Sequence, residues 1–262
     1  MLPAARHQAI VDAVQRERVV RVSDLAQQLG VSLMTVRRDI ELLEESGKLE
    51  RIHGGAKLPG DASTHEPGFE LKSTQLTAEK RAIAVAAAAL VHEGMAVGLS
   101  AGTTTWALAK ELVDGPPITV VTNSVRIADL FHHAATTGPA RYSSTVILIG
   151  GQRTPSDALV GPIATSALKQ LHLDLLFLGV HGMDSVAGFT TPNLLEAETD
   201  RAFVAAARKT VVLADHTKWG VLGISSIASL DDVDEVISDP GLGSEAQRVL
   251  QDRVGRLRLA AA

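Results

Sequence analysis

The sequence predicts an α/β protein in which a small, helix-rich N-terminal domain precedes a larger domain built on a mostly parallel sheet. Two short amphipathic segments joined by a glycine occupy residues 23–45, and helical periodicity in so short a span predicts a compact helical unit. From residue 96 onward, continuous apolar runs alternate with helical stretches, which is typical of strands covered by helices on both faces. At 262 residues and 45% hydrophobic content, the chain can form two packed cores.

Residues 23–45 carry the signals of two helices joined by a sharp turn. We expect Ser23 to cap the first helix, Gly30 to end it in a left-handed conformation, and Ser32 to cap the second helix. Apolar residues at helical spacing predict the buried face of the second helix: Leu33, Val36, Ile40 and Leu43. This pattern predicts a helix-turn-helix, whose second helix enters the major groove of DNA.

Side chains off this apolar face are candidate DNA contacts. They are Ser32, Met34, Thr35, Arg37 and Arg38. Arginine can donate two hydrogen bonds to guanine or bind phosphate, and the hydroxyl groups can reach phosphate or a base edge. The alternative is a helical hairpin with a solvated face, in which the two arginines pair with Asp39, Glu41 or Glu44.

The residues around this motif predict a complete winged domain. Residues 6–17 predict a first helix, residues 20–22 a short strand, and Gly54-Gly55 a tight hairpin turn. A hairpin in this place is a wing, from which three basic side chains can touch phosphate or the minor groove: Arg51, His53 and Lys57. For His53, a purely structural role in closing the small core is equally open.

Composition narrows the class of protein. Residues 1–57 hold nine Lys or Arg and eight Asp or Glu, a net charge of +1 within a chain of net −5, so affinity for DNA must come from local placement and dimerisation. Aromatic content of 3% argues against a single-strand binder that stacks bases.

We expect a cytoplasmic protein with no membrane segment, because no targeting signal is present and the longest apolar run, residues 82–91, is too short to cross a bilayer. The chain has no cysteine, and nothing requires a metal or another cofactor.

Beyond a linker predicted at residues 58–75, strands and helices alternate. We expect Thr77 to cap a helix that runs to about residue 91. The predicted strands are 96–99, 118–122, 146–149, 175–180, 210–214 and 233–237, and the predicted helices between them are 103–113, 124–131, 162–171 and 194–207. Ligands of such sheets bind at the carboxyl ends of the strands, and polar residues lie there in this sequence.

The segment from Ser100 to Thr105 is the first candidate ligand site. Gly102 bends the chain directly into a helix, where free backbone N–H groups can bind an anion and the hydroxyl groups of Thr103 and Thr104 add donors. The helix field contributes about 0.3–1 kcal/mol. This chemistry fits a phosphate monoester, although a threonine here can also be a simple N-cap.

Further candidates follow the other strands. Asn123, after Thr122, can bond sugar hydroxyls. Lys218 is a natural counter-charge for phosphate or a solvated loop lysine. Gly150-Gly151 allows the backbone to approach a ligand or makes a turn, and Asp184 can bind a hydroxyl or cap its loop. The remaining candidates are His181, Gly182 and Glu196.

The order of these motifs resembles the DeoR family of bacterial transcriptional regulators. RIHGGA at 51–56 follows a helix-turn-helix containing VSLMTVRRDIELLEESG. Then come GTTT at 102–105, TNS at 122–124, GG at 150–151, GMD at 182–184 and DHTK at 215–218.

The resemblance implies a winged helix-turn-helix DNA-binding domain (1–57), a linker (58–75) and a Rossmann-like sensor and oligomerisation domain related to sugar-phosphate isomerases (76–262). It implies a regulator, most often a repressor of a carbohydrate catabolism operon, that a phosphorylated sugar releases from double-stranded operator DNA. Because a single winged domain of low net charge should bind weakly, we expect a homo-oligomer, either a dimer or a tetramer.

Two other classes remain open. The GTTT loop with Asp184, Glu196 and Lys218 also suits a ribose-5-phosphate-type isomerase, with a carboxylate as general base. An attached recognition helix has no purpose in a plain isomerase, so we expect no catalytic residues. A constitutive architectural DNA-binding protein would show no stabilisation by any metabolite.

The sequence departs from the family pattern in three places. Ser100 stands where an aspartate is common, His181 stands where a small residue is common, and the segment 134–144 is longer than usual. These differences concern the identity of the sugar. His181 can hydrogen-bond the effector or serve as a structural loop residue.

Overall fold

The computed structural model describes residues 3–17, 19–46, 48–52, 54–57, 68–137 and 144–261. The chain divides into two compact units, Met1–His65 and Glu66–Ala262, each with its own hydrophobic core. No helix among the described residues combines the length and the apolar character needed to cross a bilayer.

The first unit is a winged helix-turn-helix, as the sequence predicts. Its elements are α1 (Pro3–Glu17), β1 (Val19–Arg21), α2 (Val22–Leu29), α3 (Leu33–Glu45), β2 (Glu50–Ile52) and β3 (Gly55–Lys57). The three strands form an antiparallel sheet in the order β1-β3-β2, and the wing is the hairpin of β2 and β3. Gly55 is required where the wing meets β1, because a Cβ atom there would lie 2.2 Å from the carbonyl oxygen of Val20.

The turn between α2 and α3 has the predicted geometry. Gly30 adopts a left-handed conformation (φ 65°, ψ 35°), and its N–H donates to the carbonyl of Ala26. The Ser32 hydroxyl accepts a hydrogen bond from the backbone N–H of Thr35 at 3.1 Å, so Ser32 caps α3. These two contacts satisfy backbone groups that helix ends otherwise leave unpaired.

Two predictions for this motif are wrong. Ser23 is not a cap, because β1 runs directly into α2 and the helix already begins at Val22. The N–H of Val22 donates to the carbonyl of Gly54 in the wing turn, at 2.9 Å. Leu33 is not part of the core, because its side chain is 49% exposed. As the first residue of α3 it lies beyond the edge of the core, which begins at Val36.

A buried carboxylate joins α1 to α3. Asp39 accepts hydrogen bonds from the Arg6 guanidinium (Nε at 2.5 Å and Nη2 at 2.9 Å), and its second contact is with His7 Nε2 at 2.9 Å. The Arg6 guanidinium and, to a lesser degree, the His7 ring lower the pKa of Asp39, against the opposing effect of burial. The carboxylate is therefore charged in the folded domain and orients α3 relative to α1.

Replacing Asp39 by asparagine is expected to destabilise the first unit by about 1.5–3 kcal/mol at neutral pH, because it removes the carboxylate charge that strengthens the hydrogen bonds from the Arg6 guanidinium. Since folding lowers the pKa of Asp39, the wild-type advantage is present above the unfolded value of about 3.9 and disappears as the pH falls below the folded value. Hydrogen exchange of the α1 and α3 amides in the full chain measures this difference.

Glu45→Gln is the matched control, because Glu45 is an exposed carboxylate on the same helix. Exchange that is equally slow in Asp39→Asn and Glu45→Gln would show that the buried ion pair does not stabilise the domain.

The second unit is built around a seven-stranded parallel sheet in the order β15-β14-β12-β9-β4-β5-β6. Its strands are β4 (Ala96–Leu99), β5 (Thr119–Thr122), β6 (Thr145–Leu148), β9 (Leu175–Gly179), β12 (Thr210–Leu213), β14 (Glu235–Ser238) and β15 (Leu257–Leu259). Its helices are α4 (Phe69–Ser73), α5 (Thr77–Ala88), α6 (Thr103–Leu112), α7 (Val125–Thr137), α8 (Pro162–Leu168), α9 (Leu194–Ala206) and α10 (Ser244–Arg253).

Alternate residues of the central strands enter separate cores on the two faces of the sheet. In β9, Leu175 and Phe177 pack with α5, α6 and α7, whereas Leu176 and Leu178 pack with α8, α9 and α10. This double burial explains the continuous apolar runs in the sequence. The α/β class with a mostly parallel sheet, predicted from those runs, is confirmed, as is the Rossmann-like domain that the family resemblance implies.

Several smaller elements were not predicted. A two-stranded hairpin consists of β7 (Gln152–Arg153) and β8 (Leu159–Val160), and an antiparallel sheet consists of β10 (Gly182–Asp184), β11 (Gly188–Thr191) and β13 (Ser225–Ala228). The prediction also lacked α10 and β15. In these short elements, alternating or helical apolar patterns are too brief to be distinguished from loops.

The region before α5 differs from the sequence interpretation. Thr77 is the first residue of α5 and not its cap, because Leu76 occupies the cap position in a left-handed conformation. Residues 58–67 of the predicted linker lie outside the described residues, whereas its later part forms α4, whose Phe69 side chain is buried. In the predicted 134–144 insertion, α7 extends to Thr137 and residues 138–143 lie outside the described residues.

All seven strands run in the same direction, but the order in which the chain adds them to the sheet reverses at β4, which makes β4 the switch point of the topology. From β4 the chain proceeds outward through β5 to β6, and then returns to place β9 on the opposite side of β4. A crevice forms at such a switch point, outside the carboxyl ends of the two strands, because the following helices lie on opposite faces.

Candidate functional site

The exposed side of α3 carries the residues predicted to touch DNA. Met34, Arg37 and Arg38 are exposed, and Thr35 is partly buried with its hydroxyl 2.8 Å from that of Ser32. No ion pair joins Arg37 or Arg38 to a carboxylate within the described ranges. The alternative pairing with Asp39 is wrong, because Asp39 is buried against α1.

The wing is tied to α3 by an arginine. Arg51 Nη1 lies 2.8 Å from Glu41 and its Nε lies 3.7 Å from Glu44, while its backbone N–H donates to Glu44 at 3.1 Å. These exposed pairs position the wing beside α3, so a phosphate contact by Arg51 requires exchange of its partners. Lys57 is the last residue of β3. His53 lies outside the described residues.

A crevice opens in the second unit at the switch point between β4 and β9. It contains about 580 Å³ of empty space, part of it open to solvent. Six predicted effector residues line it: Gly102, Thr103, Thr104, His181, Glu196 and Lys218. They come from the ends of three neighbouring strands and from α9, so the fold brings together residues up to 116 positions apart.

The anion end of the crevice is the N-terminus of α6. Gly102 precedes the helix in an extended conformation, and its carbonyl accepts from the N–H of Trp106, the first bond of the helix. The preceding N–H groups have no partner within the helix, and the side chains of Thr103 and Thr104 lie beside them. These donors and the helix field favour an anionic ligand group.

Four predicted effector residues stabilise the loop that leads into α6, and their side chains do not line the crevice. Asn123 is buried; its Oδ1 accepts from the N–H of Ala101 at 2.9 Å, and its Nδ2 donates to the carbonyl of Leu159 at 3.2 Å. Thr122 donates to the carbonyl of Leu99, and Ser100 accepts from the N–H of Gly179 at 2.9 Å. Thr105 is buried and donates to the carbonyl of Gly102. These four residues therefore support the loop, in place of the predicted direct contacts.

Replacing Asn123 by alanine is expected to lower the melting temperature of the ligand-free protein, because two buried backbone groups lose their partner at about 1–3 kcal/mol each. For a domain of this size, about 1 kcal/mol corresponds to 2–4 °C. A direct ligand contact would behave differently: the ligand-free melting temperature would stay unchanged while ligand binding fell. Differential scanning calorimetry with and without ligand separates the two roles.

Two lysines line the crevice together with the α6 N-terminus. Lys218 lies in a single turn of 3₁₀ helix (His216–Lys218) that Asp215 caps through the N–H of Thr217. The His216 ring contacts Asp239 at 2.7 Å, which fixes the same turn. Lys72 of α4 also lines the crevice.

A third lysine lies buried close to these groups. Lys80 Nζ donates to the carbonyl of Lys72 in α4 (2.6 Å) and to that of Gln75, just after the helix (2.7 Å). Burial lowers the pKa of Lys80 to about 8, while Asp215 opposes the change and Lys218 adds to it. At neutral pH the ammonium group therefore still adds positive potential to this side of the crevice.

The remaining wall can bind hydroxyl groups. Thr191 donates to Glu196 Oε2 at 3.2 Å, and Glu196 lies in the first turn of α9, which Asn193 caps. One turn deeper, burial and the nearby charge of Glu196 raise the pKa of Asp200 well above its usual range.

Four residues predicted to bind the effector do not line the crevice. Asp184 caps its own hairpin turn by accepting from the N–H groups of Val186 and Ala187 at 2.8 Å, which lower its pKa. At Gly182 a Cβ atom would meet the carbonyl of Val221 at 2.0 Å, and at Gly151 it would meet that of Val160 at 2.5 Å. Gly151 and Gly182 therefore allow close approach of the chain to itself, and neither they nor the adjacent Gly150 lines the crevice.

The contribution of α4 to the crevice was not predicted from the sequence. Phe69 and Lys72 line the crevice, and Phe69 packs edge-on against Trp106 of α6 with ring centroids 5.7 Å apart. The Arg126 guanidinium lies 4.2 Å from the Phe69 ring centre and pairs with Glu70 at 2.6 Å. The only sequence signal was an aromatic residue inside a segment otherwise typical of a linker. Ser156 and Thr191 also line the crevice and were not predicted.

Both units match known families. Residues 6–61 match the DeoR-like helix-turn-helix domain, and residues 75–240 match the DeoR C terminal sensor domain. The HTH-type transcriptional regulator GlpR of Haloferax volcanii is 37% identical over 96% of this chain and 95% of its own. The glycerol-3-phosphate regulon repressor of Escherichia coli is 30% identical over 99% of this chain and all of its own. Among solved structures, ribose 5-phosphate isomerase A from Methanocaldococcus jannaschii covers 53% of each chain at 18% identity, with a TM-score of 0.38.

Proposed function

The chain belongs to the DeoR family of DNA-binding transcriptional regulators, and from this premise we propose that it is a repressor released from its operator by a phosphorylated sugar. The target is an operon of carbohydrate catabolism, and the protein acts in the cytoplasm, where DNA and metabolic phosphates occur together. The name of one relative, a glycerol-3-phosphate regulon repressor, supports both the repressor role and a phosphorylated effector.

The chemical groups that line the crevice are the main support for a phosphorylated sugar as the effector. The N–H groups at the α6 N-terminus that lack a partner within the helix lie in the same crevice as Lys72 and Lys218, a combination that suits a phosphate with two or more negative charges. Glu196, Thr191 and His181 also line this crevice, and their side chains suit hydroxyl groups. A ligand with phosphate at one end and hydroxyls at the other fits this distribution.

The DNA-binding role belongs to the first unit, through α3 and the wing. Because residues 1–57 carry a net charge of only +1, one copy should bind DNA weakly. A homo-oligomer with two such units on adjacent half-sites supplies the missing affinity. We assign residues 1–57 to DNA binding, 58–75 to the connection and 76–262 to effector sensing and oligomerisation.

The mechanism is thermodynamic linkage between the two sites. If the effector binds more tightly to the state in which the two DNA-binding units do not match the half-site spacing, it lowers operator affinity. A coupling of about 1–3 kcal/mol changes that affinity about 5- to 150-fold.

A thermal-shift screen tests this function. The full chain is heated with inorganic phosphate, triose, pentose and hexose phosphates, and the matching unphosphorylated sugars. We expect the melting temperature to rise with one or a few sugar phosphates and not with their unphosphorylated forms, and the same compounds to release bound operator DNA. Stabilisation without release would contradict an effector role, and the absence of any stabilisation would contradict the phosphate assignment.

A further inference from the structure

The first turn of α3 exposes two large apolar side chains. In the described part of the first unit, the exposed large apolar residues are Leu33 (49%), Met34 (66%) and Leu42 (53%). The other apolar side chains of this helix, Val36, Ile40 and Leu43, are at most 3% exposed. Leu33 and Met34 are adjacent, and they directly follow the Ser32 cap.

Their position is the part of the domain that meets the bases. In a helix-turn-helix, the N-terminal residues of the second helix contact base edges in the major groove. Helical side chains point toward the N-terminus, so Leu33 and Met34 project beyond the start of the helix. Arg37 and Arg38 lie one turn later on the same sides of α3, because each is four residues from one of the apolar pair.

The chemistry of the groove selects one base. Guanine, cytosine and adenine present hydrogen-bond donors and acceptors in the major groove, which an apolar side chain leaves unsatisfied when it covers them. Thymine alone adds an apolar group, the 5-methyl. We propose that Leu33 and Met34 read thymine methyl groups in the operator, within one or two base pairs of the position that Arg37 and Arg38 contact.

This inference rests on the DNA-binding function and adds the identity of a recognised base. The two arginines supply guanine or phosphate contacts, and the apolar pair supplies preference at neighbouring positions. Preference for the methyl group then accounts for the exposure of both side chains, which the folded domain by itself does not require.

The test begins with selection of binding sites from a random duplex pool by the full chain, which defines a consensus. Each thymine of the consensus duplex is then replaced in turn by deoxyuridine, which removes only the 5-methyl group. At one or two positions we expect about a fourfold loss of affinity, the value for exposing one buried methyl group. In Leu33→Ala or Met34→Ala, the loss at the corresponding position should disappear.

Leu42→Ala is the matched control, since it removes an equally exposed leucine from the far end of α3. Its sensitivity to deoxyuridine should equal that of the unmodified chain. Equal affinity for thymine and deoxyuridine at every position would overturn the inference, as would a loss that persists in both Leu33→Ala and Met34→Ala. A changed oligomeric state of these variants at unchanged base preference would also overturn it, because the pair would then be a protein contact. Failure to select any consensus would instead contradict sequence-specific DNA binding.

Discussion

Replacing Arg38 by alanine is expected to weaken operator binding by about 5- to 150-fold per DNA-binding domain, the range for losing one bidentate contact. Arg38 is exposed on α3, and none of the described carboxylates pairs with it, so its guanidinium is available to the groove without a competing partner. Fluorescence anisotropy with labelled operator DNA at several salt concentrations measures the loss.

The salt dependence separates the two possible contacts of Arg38. A phosphate contact would lower the slope of log affinity against log salt by about 1, whereas a guanine contact would relax the preference at one base pair. Arg38→Lys keeps the charge but loses the planar fork, so it should retain a phosphate contact and lose a guanine contact.

Arg248→Ala provides the control for net charge, because Arg248 is an exposed arginine on α10. Binding of the effector should be the same in Arg38→Ala, Arg248→Ala and the unmodified chain. Operator affinity that is unchanged in Arg38→Ala would remove this residue from the DNA contacts.

Replacing Lys218 by alanine is expected to raise the effector concentration needed for operator release by about 10- to 150-fold, the value of a lost hydrogen bond between charged groups. Lys218 lines the same crevice as the α6 N-terminus, on a turn fixed by Asp215 and by the contact of His216 with Asp239. Operator affinity without effector should stay unchanged, because the substitution lies outside the DNA-binding unit.

Lys169→Ala is the matched control for Lys218, since Lys169 is an exposed lysine at the end of α8 and does not line the crevice. Both variants are titrated with the sugar phosphate that gives the largest thermal shift and with inorganic phosphate. If Lys218→Ala still releases DNA at the original effector concentration, phosphate binds elsewhere.

The structure changes how the candidate effector residues divide between contact and support. Most of them lie at or just after the carboxyl ends of strands, as expected for ligands of a parallel sheet, whereas Glu196 lies in α9. The sequence does not show which of them face outward, because a polar side chain at a strand end can bind a ligand or satisfy neighbouring backbone groups. Asn123 and Asp184 illustrate the second outcome, since both accept hydrogen bonds from backbone N–H groups.

In the DNA-binding unit, local signals identified the helices and the turn but misplaced two residues. Gly30 and Ser32 were predicted correctly because their roles depend on backbone geometry within a few residues. Ser23 and Leu33 were wrong because their environments depend on the wing and on the extent of the core, which lie outside that local span.

The sequence by itself determined the two-domain α/β architecture, the helix-turn-helix and the family, because periodicity, caps and ordered motifs are local properties of the chain. Only the tertiary structure decided which polar groups meet in the crevice, that α4 supplies Phe69 and Lys72 to it, and that α3 exposes its first two apolar residues. These features depend on contacts between residues distant in the chain, whose burial and pairing are fixed only when the sheet and its helices have packed together.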